Sequence, residues 1–164
     1  MHSRAIAFVY GIDYDLHMTT EQIKQLFRAE ADKHGFAHVP IKTDRSRRRL
    51  GGFAHKGTEP VYFTFSAILL PLLDDAQILD TIRHEIAHAK TPCEGHGYAW
   101  KLAAMAVGAK PEACAAVEID AKQAGYKYIA PCACSPVKHG KTRMPSRSLI
   151  CGICRQRLTW IQQY

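Results

Sequence analysis

The chain has 164 residues, 47% of them apolar, and a formal net charge of +7. That length holds one domain of ordinary size plus an appendage, and the apolar content suffices for a core. The longest apolar stretch, Val61 to Leu73, is broken by Thr64, Ser66 and Pro71 and is too short for a bilayer span. With no secretory or lipidation signal visible, an intracellular protein, cytoplasmic or nucleoid-associated, is expected.

Thr19 or Thr20 caps a predicted helix running to about His34, with Ile23, Leu26, Phe27 and Ala31 on one face and Gly35 at its end. Residues 37–43 and 50–55 read as strands around a basic run of Arg45, Arg47, Arg48 and Arg49. That run is either a solvated hairpin turn or a second nucleic-acid contact. Val61 to Phe65 reads as a third strand. Strand 61–65 or strand 50–55 could hold an extended peptide by edge pairing, and the sequence leaves the choice open.

Asp74, Asp75 and Gln77 then form a helix start, followed by Ile78, Leu79, Ile82, Ile86 and Ala89 at helical spacing. This helix carries His84-Glu85-Ile86-Ala87-His88, an H-E-x-x-H pattern. Residues four apart share a helix face, so both imidazoles can reach one metal ion, and Glu85 can reach a water bound to it. Two neutral imidazoles suit Zn²⁺, and the carboxylate is the general base that zinc hydrolysis needs. The bland alternative is a pair of surface histidines beside a solvated carboxylate.

A catalytic zinc normally keeps three protein ligands. Gly95-His96-Gly97 follows, and its glycines allow a sharp turn that returns His96 over the helix. The longer H-E-x-x-H-x-x-G-x-x-H pattern is absent, because Thr91 and Glu94 occupy its glycine and histidine places. Glu94, Glu112 and Glu118 are the rival third ligands. A helix from about Tyr98 to Val107 stops at Gly108, and Pro111 opens another that ends near Gly125. Tyr98 has a core or rim role. A small sheet with helices stacked on it is an α+β arrangement.

Tyr126 to Ile129 leads into a second constellation. Cys132-x-Cys134 and Cys151-x-x-Cys154 read as a tetrahedral structural zinc site, with Gly152 suiting the knuckle. His139 could replace one thiolate, and a disulfide framework or four free thiols are the alternatives. The two other cysteines, Cys93 and Cys114, suit a reducing compartment. Residues 1–120 hold 14 Lys+Arg against 15 Asp+Glu, whereas residues 121–164 hold 8 Lys+Arg and no acid. The whole positive excess therefore sits in the cysteine segment, an electrostatic footprint for phosphate backbones. Lys138, Lys141, Arg143, Arg147, Arg155 and Arg157 are the expected contacts. Trp160 and Tyr164 could add base stacking, and no pattern would read base sequence.

Taken in order, His84-Glu85-Ile86-Ala87-His88-Ala89, then Glu94-Gly95-His96-Gly97 with Trp100-Lys101, then Tyr128 and the four cysteines resemble the SprT-like metallopeptidase family. The resemblance covers roughly residues 20 to 160. It implies a zincin-like metallopeptidase domain over 1–128 and a small zinc ribbon over 129–164. It also implies one catalytic zinc on His84, His88 and His96, Glu85 as base, and proteolysis of proteins on or near DNA. A zinc-stabilised nucleic-acid-binding or adaptor protein without turnover is the rival reading, and an intact Glu85 argues against it.

Overall fold

In the computed structural model of the protein, residues 17–113, 119–132 and 134–164 are described, the side chains of 135–138 excepted. The chain forms two compact units, Met1–Ala115 and Ala116–Tyr164. Among the described residues no helix is long and apolar enough to cross a membrane.

The first unit opens with α1, Thr20–Lys33. Its Thr19 side chain accepts from the Gln22 N–H while Gln22 returns the bond to the Thr19 backbone, so two otherwise unpaired donors are satisfied. The sheet follows: β1, Ile41–Asp44; β2, Gly51–Lys56; β3, Glu59–Ser66. Strand order is β1-β3-β2, with β1 parallel and β2 antiparallel to β3. The first strand starts four residues later than the expected 37. The Arg28 guanidinium donates to the carbonyls of Ala37 and Val39 at 2.8 Å, and Val39 turns back onto Phe36. These bonds hold 37–39 in a turn.

A short 3₁₀ turn, Leu70–Leu72, leads into α2, Asp75–Lys90, which Asp74 and Gln77 cap by the same reciprocal bonds. The third helix, α3, covers Tyr98–Val107 and ends at Gly108 in the left-handed conformation (φ 77°). The core lies between the helices and one sheet face: Ile23 and Phe27 of α1, Phe63 and Phe65 of β3, Ile78, Ile82 and Ile86 of α2, and Trp100 of α3. Phe27 packs on Phe63 with ring centroids 5.1 Å apart. A half-buried ion pair joins α1 to α2, Arg83 Nε to Glu30 Oε2 at 2.7 Å. Burial raises the Glu30 pKa, but the Arg83 hydrogen bond and charge prevail and hold the carboxyl below its usual range.

No helix runs from Pro111 to Gly125 among the described residues, contrary to the sequence expectation. Asp120 accepts from the N–H groups of Lys122 and Gln123, and Gly125 at φ 74° ends the turn that results. Cys114 and Glu118 lie outside the described residues.

The second unit contains β4, Tyr128–Cys132; β5, Ser135–Lys141; and β6, Ile161–Gln162, paired antiparallel in the order β5-β4-β6. Lys127 and Tyr126 are bonded into this sheet through Lys141 and Gln163, so the unit begins before residue 129. Its core is small: Ala130, Cys151 and Leu158, with Leu149 and Trp160 packed around them.

Candidate metal centres

The apolar stripe of α2 buries Ile78, Ile82, Ile86 and Ala89, which turns His84 and His88 to the rim of the core. Their rings lie 5.0 Å apart, as i, i+4 spacing dictates. His96 comes from the segment between α2 and α3. Its Nε2 lies 3.1 Å from Nε2 of His88 and 3.1 Å from Nε2 of His84. A tetrahedral zinc with Zn–N near 2.0–2.1 Å needs nitrogens roughly 3.3 Å apart, so the three donors fit one such ion. The rival Glu112 is exposed and outside this cluster.

The turn that returns His96 differs from the glycine turn expected from the sequence. Gly97 has φ −72° and serves as the N-cap of α3, and Gly95 is not left-handed either. The left-handed residue is Cys93, at φ 69°. The ring of His88 also hydrogen-bonds the Glu94 backbone, which orients it from outside the cluster.

Trp100 forms the floor. Its fully buried indole lies 4.7, 5.3 and 4.5 Å, between ring centroids, from His84, His88 and His96. Desolvation, followed by repulsion from His96, lowers the His84 pKa to about 4. Desolvation, then His84 and His96, lowers that of His88 to about 4. Both imidazoles are therefore neutral at pH 7, the form a metal requires.

Glu85 lies against β2 in the same cleft as the histidines and is only 7% exposed. Burial raises its pKa to about 8, with the Arg49 guanidinium pulling in the opposite direction. Sequence reasoning missed the residue that makes room for it. A Cβ on Gly51 would stand 2.8 Å from Glu85 Oε1 and 2.9 Å from its Cγ. Only a glycine lets β2 pass so close to the carboxylate. Glu85, the three histidines, Gly51, Gly52, Phe53, His55 and Cys93 line one cleft of about 300 Å³. Tyr98 stands at the surface, 78% exposed.

In the second unit the four cysteines converge. Sulfur separations are 3.2 Å for Cys132–Cys134, 3.3 Å for Cys132–Cys154 and 3.5 Å for Cys134–Cys151. All four are free thiols, far beyond disulfide length, and roughly at the edges of a ZnS4 tetrahedron, about 3.8 Å. Backbone N–H groups of Cys154 and Ile153 lower the Cys151 pKa to about 5. Hydrogen bonds to Cys132, Cys154 and Cys151 push Cys134 up to about 12. His139 replaces none of the sulfurs. It stands beside them, and its ring hydrogen-bonds Cys151. Gly152 is not left-handed; Arg155 is, at φ 63°, just past the last ligand. Lys141, Arg143, Arg147, Arg155 and Arg157 are all exposed, whereas the Lys138 side chain lies outside the described residues.

Three convergent histidines in one unit and four convergent cysteines in the other define a protein built to bind metal, with donor sets that suit zinc. The sequence profile of the SprT-like family matches residues 16–122, and the chain belongs to that family. The match ends before the cysteine cluster, which suggests a C-terminal zinc ribbon on its own geometry. No curated protein matches the chain in sequence.

Proposed function

We propose that the protein is a zinc-dependent metallopeptidase of the H-E-x-x-H type that cleaves proteins on or near DNA. The observation that carries this reading is the buried carboxylate of Glu85 in the same cleft as three convergent imidazoles. A protein that used the metal only for stability would gain nothing from a desolvated carboxylate there. Zinc, when bound, supplies a Lewis acid that polarises a carbonyl and lowers the pKa of water. His84, His88 and His96 would hold it. Glu85 takes the proton from the attacking water and passes it to the leaving amine. β2 is an edge strand of the sheet and lines the cleft, so its free backbone edge suits an extended peptide better than the doubly paired β3.

Gly51→Ala tests the carboxylate's setting. The added methyl displaces Glu85, so turnover is expected to fall about 10²-fold, the scale of a misplaced catalytic group. Metal content stays unchanged. Equal turnover of the variant and the parent, measured by peptide cleavage with metal analysis alongside, would refute this placement.

The ribbon is the proposed DNA-holding module, since residues 129–164 carry six of the cations and no acid. Binding rests on phosphates and stacking, not on base sequence. The experiment is cleavage of a protein bound to DNA, at two salt concentrations. The triple variant Lys141→Glu, Arg143→Glu, Arg147→Glu is compared with Arg47→Glu, Arg48→Glu, Arg49→Glu. DNA affinity is expected to drop steeply with salt and far more in the first variant. Affinity that is flat in salt, or equal losses in the two variants, would sink the DNA assignment.

A further inference from the structure

We propose a second, weaker cation site on the rim of the same cleft, built from Cys93, His55 and the carbonyl of Gly57, which takes a soft divalent ion such as zinc. Three donor atoms of different kinds meet there. His55 Nδ1 lies 2.8 Å from Gly57 O, Cys93 Sγ lies 3.1 Å from Gly57 O, and the thiol lies 3.8 Å from His55 Nδ1. With Zn–S near 2.3 Å and Zn–N near 2.0–2.1 Å, a tetrahedral ion separates such donors by roughly 3.3–3.8 Å. Small movements of two exposed side chains meet that demand. Sulfur and imidazole together select zinc-like ions over magnesium or calcium.

Cys93 occupies the left-handed region, which is uncommon for a non-glycine residue, and the turn it makes brings its thiol to the Gly57 carbonyl. Gly57, at φ 59°, turns its carbonyl inward from the β2–β3 hairpin. Binding releases the thiol proton to solvent, and the His55 proton moves from Nδ1 to Nε2 to free the lone pair. The ion then ties the segment carrying His96 to the hairpin, across the cleft that the histidine triad opens into. This site does not depend on the protein being a peptidase. A cation already held by the triad repels a second one nearby, so the rim site fills last.

The test is alkylation of Cys93 by iodoacetamide in the full-length protein already carrying its tightly bound zinc, read by peptide mass mapping. Added zinc is expected to slow Cys93 modification saturably, about tenfold at ten times the half-effect concentration. Magnesium has no effect. His55→Ala and His55→Asn lose the protection, each measured against its own rate without added zinc. His55→Asn keeps a group able to hydrogen-bond the Gly57 carbonyl, and unchanged zinc content certifies the folds. A Cys93 rate indifferent to zinc, protection by magnesium as strong as by zinc, or full protection in both His55 variants would overturn the proposal.

Discussion

Glu85→Gln is expected to lower peptide hydrolysis about 10²–10⁴-fold, the range that general-base catalysis supplies, and to leave the histidine-bound metal in place. Glutamine nearly matches the shape of glutamate, so the tight passage of β2 at Gly51 is kept. It is not a metal donor here, because the three imidazoles form the cluster without it. What it cannot do is accept a proton. In the parent, the carboxylate takes the proton from water and its conjugate acid returns it to the leaving amine. Two measurements are needed: zinc per chain, and cleavage rate of a DNA-bound protein. A variant that keeps its zinc and the parent's full rate would remove Glu85 from the mechanism, whereas no cleavage by zinc-loaded parent or variant would favour a binding protein.

Loss of the cysteine-held metal is expected to unfold the second unit. Among the described residues its buried core is Ala130, Cys151 and Leu158, one of which is itself a candidate ligand. A core of that size cannot offset the conformational entropy of the ordered chain. Structural zinc contributes an apparent ~10–16 kcal/mol in such modules, which is why they fold only with metal. Cys151→Ser removes the buried donor at the centre. Amide exchange over residues 128–164 should then rise to that of an open chain, while the amides of α2 and β3 remain protected. Slow exchange persisting across β4 and β5 in the variant, or after chelation, would show that the sheet stands without metal.

Much of this was legible in the sequence because it is local. Both capping boxes, Thr19 with Gln22 and Asp74 with Gln77, involve residues three apart, and the helices start where those pairs place them. Gly108 stops α3 for an equally local reason. The shared face of His84 and His88 follows from helical periodicity alone. What lay hidden depends on contacts distant along the chain. Gly51 read as one more residue of the strand 50–55 beside an arginine run, and only the approach of β2 to α2 gives it a role. The late start of β1 is set by Arg28, a residue of α1 that reaches across to three carbonyls. The return of His96 was readable as an outcome but not in its cause, since Cys93 and not a glycine takes the left-handed conformation. Of the helix expected after Pro111, residues 114–118 lie outside the described residues, and at its far end the Asp120 carboxylate accepts from the N–H groups of Lys122 and Gln123 and begins a turn instead.

The chain contains two tryptophans. Trp100 lies under the histidine cluster, and Trp160 packs beside the cysteine cluster. Each indole Nε1 is buried and has no hydrogen-bond partner, so each ring is set by packing alone. The protein thus carries a native fluorophore at each donor set, in an environment that the arrival of a metal must perturb. Arrival of a metal at either donor set is therefore expected to change the tryptophan emission, and Trp100→Phe or Trp160→Phe would tell which set was filled.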